Sequence, residues 1–373
     1  MNMASIRIDA VTDWDSLARL QPEWNSLLAR SRAASLFLTW EWIDAWREGV
    51  ASAVQPFVLV ARNADDRLAG IAPFYRAKLR LLRAVECTVL RVIGDYHSGG
   101  EYGDWIVDAA AEANVSRQLA QALLAQRRRW DCIWLPNVAN WTGAEARLTS
   151  ACMTDELHVR ARPIGFSAID LPRAYEEYWR SLSANARSTL QRQRRRLEAG
   201  GATVERCMRA EDLPAYLEAL FELNHRRWSK EGMVGTFRRK PLERAFYTRF
   251  AKVALANGWL RLFALRLGDE IKAIQYGYAY NGTFFQMQEG FDPEAPAGIG
   301  NVLRAHVIDA CVLEGIHTYD FLGEHTEHKR RWLARERSGQ DLFVTHSAPL
   351  STTLRTLRVW PTGRYLRPVN ITA

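Results

Sequence analysis

Gly298 and Gly300, two residues apart in the segment AGIGN (297–301), stand where this chain comes closest to a ligand-binding device. Glycine removes side chains where a backbone must approach a ligand. A helix starting at that point aims its free N–H groups and the positive end of its dipole at the same place. The combination cradles a pyrophosphate; a glycine pair before a helix also serves as a plain turn. No third glycine follows at the spacing of a dinucleotide fingerprint, and no Gly-Lys-Ser/Thr makes a P-loop. Ahead of the loop, TFFQMQEGF (283–291) reads as a strand. Strict alternation would set Phe285, Met287 and Glu289 on one face and Phe284, Gln286 and Gln288 on the other. Glu289 then stands at a strand end beside the glycines. Beyond the loop, Asp320 lies between Tyr319 and Phe321. A carboxylate in that setting is either partnered, by Lys329 or Arg330, or raised in pKa.

His325 and His328, interleaved with Glu324 and Glu327, do not have the H-E-x-x-H spacing, and no cysteine lies near them. No metal site is expected; a loop lining an acceptor pocket fits better, with His325 as a base in its own right. In NARSTLQRQRRRLEAGG (185–201), five arginines (187, 192, 194, 195 and 196) leave Ala186, Leu190 and Leu197 as a narrow apolar stripe. Such a run is either a solvated helix face or a contact for a phosphate, a polyanion or RNA. Charge divides unevenly along the chain. Residues 1–165 carry 19 Lys+Arg against 19 Asp+Glu, and residues 166–373 carry 31 against 23, so the net charge of +8 resides in the second half. That half is expected to meet an anion.

The elements that must position these residues come in a repeated order. Two amphipathic helix patterns open the chain, at 13–30 and in WEWIDAW (40–46), followed by strands at 56–62, 68–76 and 85–94, a helix ending near 130 and a strand at 131–137. The second half repeats this with helices at about 174–183 and 185–198, a strand at 202–208, and helices from Asp212 and Pro241. Strands follow at 259–267, 271–280 and 283–291, then a helix of about 302–314 and a strand at 317–323. Asn281-Gly282 is a strong hairpin signal. Residues 340–347 read as one further strand. The expected fold is mixed-sheet α/β, one unit in two copies: 1–165, 166–348 and a tail, 349–373, of loose helix and extended chain. A content of 48% hydrophobic residues supports real cores. No apolar run is long enough to span a membrane, the N-terminus has no secretory pattern, and five scattered cysteines build no disulfide framework. A cytoplasmic location is expected.

A glycine loop after a hairpin-linked meander, with a helix and a strand behind it, resembles the coenzyme A site of GNAT-type N-acyltransferases, whose loop is roughly [QR]-x-x-G-x-[GA]. Gly298-Ile299-Gly300 matches its second part, and Ala295 stands where the family has Gln or Arg. GIHTYDFLGEHTEHKRRW (315–332), the arginine-rich helix and FLTWEWIDAWREG (37–49) resemble the branch of cellulose-biosynthesis-associated acetyltransferases and, more distantly, Fem-type peptidyltransferases. The resemblance implies a bacterial tandem GNAT fold in which only the second copy keeps the coenzyme loop. It also implies transfer of an acyl group from acyl-CoA, a co-substrate rather than a tightly bound cofactor, to a small amine, with an envelope-polysaccharide or secondary-metabolite precursor as the candidate acceptor. Gly298, Ile299, Gly300, Asn301 and Val302 would hold the coenzyme. Glu289 is the first candidate base, followed by Asp320 and His325, with Tyr319 as a candidate acid. Gln286, Lys329 and Arg195 would contact substrate. Transfer from an aminoacyl-tRNA is the alternative enzyme reading, and a non-catalytic nucleic-acid-binding or scaffold protein the alternative outside enzymes. Other nucleic acid is not expected as a partner.

Overall fold

A computed structural model describes residues 6–50, 53–81, 84–357, 360 and 366–368. The chain divides into two compact units, Met1–Ile164 with Ser338–Ala373, and Gly165–Arg337. Residues 338–348, read with the second half above, thus group with the first unit.

The first unit is built on strands β1 (Arg7–Val11), β2 (Gln55–Arg62), β3 (Leu68–Leu81), β4 (Val85–Val92), β5 (Ile106–Val107), β6 (Cys132–Ala139) and the first part of β7 (Leu157–Asp170). β1, β2, β3 and β4 pair antiparallel in succession, whereas β4 and β6 pair parallel. Its Trp richness goes into the core: Trp24, Trp42, Trp46, Trp105 and Trp130 are fully buried. The helix Glu112–Ala125, which precedes β6, opens on a carboxylate instead of glycines. Glu112 accepts a 2.7 Å hydrogen bond from Arg147, whose other arm is paired with Asp104.

In the second unit the strands β8 (Ala202–Arg206), β9 (Leu260–Leu267), β10 (Glu270–Tyr280) and β11 (Thr283–Phe291) form an antiparallel meander. β12 (Thr318–Asp320) runs parallel to β11, and the Ala168–Asp170 end of β7 runs antiparallel to β12. Gly339–Thr345 of β13 (Arg335–His346), which belong to the first unit, pair antiparallel with β6. The first unit therefore completes its sheet with a strand from the far end of the sequence, which simple duplication would have left to the second half. The expected strand at 340–347 begins earlier, at Arg335, and β7 was not foreseen at all.

Asn281 and Gly282 turn the β10–β11 hairpin with φ of 47° and 69°, the left-handed pair a two-residue turn demands. One sheet face packs on the helices Ala184–Ala199 and Ile299–Leu313 through Phe263, Leu265, Ala273, Phe284 and Tyr319. On the other face, Tyr276 and Tyr278 meet Tyr247 and Phe250 of the helix Pro241–Ala256. The helix after the glycine loop begins at Ile299, not near residue 302 as expected, so Gly300 and Asn301 belong to its first turn. Pro349–Thr356 is the expected helix of the tail; residues 361–365 and 369–373 lie outside the described residues. No described helix is long and apolar enough to cross a membrane.

Candidate active site

Strand β11 pairs with β12 over only three residues, Thr283–Phe285 against Thr318–Asp320. Beyond Phe285 the two part, because β12 ends at Asp320 while β11 continues to Phe291. At the same point β11 is bulged. Gln286 stands opposite Gly277 and Gln288 opposite Tyr276, leaving Met287 as the extra residue. Cross-strand partners share a face, so Gln286, opposite Gly277, and Glu289, opposite Gln275, point the same way. Strict alternation, which separated them, fails at this one residue. Gly277 is required here: a Cβ would lie 2.4 Å from the Phe285 carbonyl oxygen and 2.5 Å from the Phe284 ring.

The bulge gathers a polar network on the face that carries the glycine helix. Gln275 donates from Nε2 to the Tyr319 hydroxyl at 2.5 Å, and that hydroxyl donates to Gln286 Oε1 at 2.7 Å. Gln286 Nε2 donates to Glu289 Oε2 at 3.2 Å. Glu289 also pairs with Arg227 at 2.8 Å and with Arg304, whose side chain is 3% exposed. The Arg304 guanidinium donates to His328 Nε2 at 3.2 Å and lies 5.3 Å from the centre of the Trp332 ring. Burial raises the Glu289 pKa, but Arg304 and Arg227 outweigh it and hold the carboxyl at about 2. Burial pushes the Tyr319 hydroxyl well above its ordinary range. Burial and the neighbouring Arg304 lower the pKa of His328, favouring the neutral ring.

Beside this network opens a cavity of about 460 Å³ lined by Gly298, Ile299, Gly300 and Asn301 together with Glu289, Arg304, Arg227, Lys230 and His328. Gly298 has φ 90°, and no side chain caps the helix N-terminus that follows it. A Cβ on Gly298 would sit 2.1 Å from the carboxamide carbon of Gln193. That carboxamide keeps its buried oxygen without a hydrogen-bond partner.

The sequence-derived candidates separate into two sets. Glu289, Tyr319 and Gln286 join the network, and Gly298 to Asn301 line the cavity. Val302 instead lines a cavity with Tyr175 and Trp179. Asp320 is buried, and its Oδ1 accepts from the Leu322 N–H at 2.8 Å, fixing a turn in which Leu322 has φ 56°. Lys329 ties down the same turn by donating to the Leu322 carbonyl at 2.5 Å. His325 Nδ1 lies 2.7 Å from Ser167 Oγ, and His325 is not among the residues lining the glycine-loop cavity. Arg195 is exposed on its helix and does not line that cavity. Arg227 and Arg304 escaped the sequence reading. Arg304 stands four residues after Gly300, one helical turn into a largely apolar helix, and that lone cation is the signal that would have found it.

Residues 184–330 match the family model described as an acetyltransferase (GNAT) domain. No curated protein matches the chain. Among solved structures, FemX superposes with a TM-score of 0.63 at 13% identity, covering 94% of this chain and 99% of that one. L-PGS from Bacillus licheniformis gives a TM-score of 0.50 at 12% identity, over 84% and 94% of the two chains. A C-terminal domain assigned to a lysylphosphatidylglycerol synthetase from Agrobacterium fabrum gives 0.52 at 11%, over 91% and 96%. At such identities the likeness is one of fold. Residues 184–330 are thus similar to a GNAT-type acetyltransferase domain, and the fold around them is similar to that of FemX.

Proposed function

We propose that the second unit transfers an acyl group from a coenzyme A thioester to an amine. The observation that carries this reading is the uncapped N-terminus of the helix Ile299–Leu313, opening beside the Gly298 loop into a cavity that also holds Arg227 and Lys230. Partial positive charge at the helix end and two cationic side chains suit a diphosphate. The parting of β11 from β12 at the bulge exposes strand backbone next to it, where an N–H can hold the thioester oxygen.

The amine nitrogen attacks the thioester carbonyl, the carbon–sulfur bond breaks, and the amine's extra proton must leave. Glu289, with a pKa of about 2, is a poor proton acceptor at neutral pH. Its role is to orient the guanidiniums of Arg304 and Arg227. His328 lies on the cavity wall with its Nε2 lone pair already accepting from Arg304, so the amine's proton passes through water to the departing thiolate. The first unit takes no coenzyme in this reading, because Glu112 occupies the start of its corresponding helix.

Gly300→Asp tests the donor site. A carboxylate in the first helical turn suits the fold, yet it puts like charge where the diphosphate belongs. Acetyl-CoA should raise the melting temperature of the parent and not of the variant, with unliganded melting unchanged. Parental acetyl-CoA affinity in the variant overturns the reading. The exposed arginines 192, 195 and 196 support a second reading, an aminoacyl-tRNA donor, which predicts tRNA binding with a steep salt dependence and no response to acyl-CoA.

A further inference from the structure

The helix Ile299–Leu313 has a second cavity on its other side. Val302, Ala305, His306 and Asp309 follow one another at spacings of three, one and three residues, which at about 100° per residue makes a single stripe. Arg304 points roughly opposite to that stripe, toward Glu289. The stripe lines a cavity of about 570 Å³, well within the size range of small-molecule sites.

Its walls differ in kind from those of the glycine-loop cavity. Leu190, Leu265 and Val302 give it an apolar side, and Tyr175 and Trp179 add two rings with centroids 6.2 Å apart and planes inclined by 34°. The polar side is acidic. Glu198 is neutralised by Arg194 at 2.7 Å, whereas Asp309 and Glu176 make no ion pair or hydrogen bond among the described residues. These two carboxylates stand out in a half of the chain whose net charge is positive. The Tyr175 hydroxyl and the Trp179 indole N–H likewise have no protein partner among the described residues. Burial raises the Asp309 carboxyl above its ordinary range, and the nearby His306 and Arg194 offset this only in part.

We infer that this cavity is a second binding site, which takes a small organic ammonium ion with a ring or alkyl body. The apolar body lies against Leu190, Leu265 and the two aromatic rings; the ammonium meets Asp309 and Glu176, with ring faces adding attraction for the cation. An anion is disfavoured by the same two carboxylates. The site is independent of the donor cavity, sharing with it only the helix between them.

Titration calorimetry with tryptamine as the probe, on the full chain without any acyl donor, tests this. Tryptamine should bind at millimolar or lower concentration, and indole-3-propionate, of the same ring and opposite charge, should not. The double variant Glu176→Gln, Asp309→Asn, isosteric at both positions, should weaken tryptamine by about tenfold or more. Trp179→Leu should weaken it independently, while Gly300→Asp should leave it unchanged. Absence of tryptamine binding, equal binding of indole-3-propionate, parental affinity in the double variant or loss of binding in Gly300→Asp would each overturn the inference.

Discussion

Gln286 and Glu289, three residues apart on one strand, project from the same face of the sheet, with Gln286 Nε2 3.2 Å from Glu289 Oε2. An unbroken strand would turn them to opposite faces. The bulged Met287 joins Tyr319 and the two glutamines to the arginine-held carboxylate, and so connects β12 to the glycine helix.

The Glu289 ion pairs give the chain a specific pH response. The Glu289 pKa is lowered from 4.5 to about 2 on folding, so its stabilisation is fully present above pH 4.5 and is lost as pH falls toward about 2. Glu289→Gln should therefore cost on the order of 3 kcal/mol at neutral pH, with the gap between variant and parent closing through the acid range. Urea melts at a series of pH values measure this directly. A gap that stays constant down to pH 2 would show that the pairs do not set this carboxyl's titration.

Removing the Tyr319 hydroxyl leaves Gln275 Nε2, in a side chain 1% exposed, without that acceptor. Tyr319→Phe should destabilise the chain by ~1–3 kcal/mol. Acetyl transfer should fall as well, because Gln286 loses the donor that fixes it. Equal stability and equal turnover in the variant would separate the network from the chemistry.

Gly277→Ala addresses the bulge without touching a polar group. The added methyl meets the Phe285 carbonyl oxygen and the Phe284 ring, both part of the core hairpin. A cost of ~1–3 kcal/mol is expected from overpacking, together with lower turnover and nearly unchanged acetyl-CoA affinity. Calorimetry for binding and a single-turnover assay for transfer read the two effects apart.

Gly298→Ala combines strain at φ 90° with a collision against Gln193. The backbone part should cost ~1–2 kcal/mol. Adding Gln193→Ala should restore the steric part and leave the backbone part, so the double variant should melt between Gly298→Ala and the parent. Melting temperatures identical in the single and double variants would mean that Gln193 moves aside freely.

Local chemistry settled much of this in the sequence. Asn281-Gly282 specified its turn because few other pairs tolerate two left-handed residues in succession, whereas the helix after Gly298 starts at Ile299, earlier than the sequence pattern placed it. Strand β11 was legible to the residue as Thr283–Phe291, and the repeated order of elements announced two mixed-sheet units. Tertiary structure decided the rest. The bulge at Met287 is set by a register against β10, which alternation along β11 alone does not contain. Arg227 and Arg304 reach Glu289 from two helices far apart in sequence, and their value lies in burial of charge that only the packed unit provides. The placement of β13 against β6 is a long-range pairing across some two hundred residues, written in no local pattern because strand partners are chosen by packing rather than by neighbours in the chain.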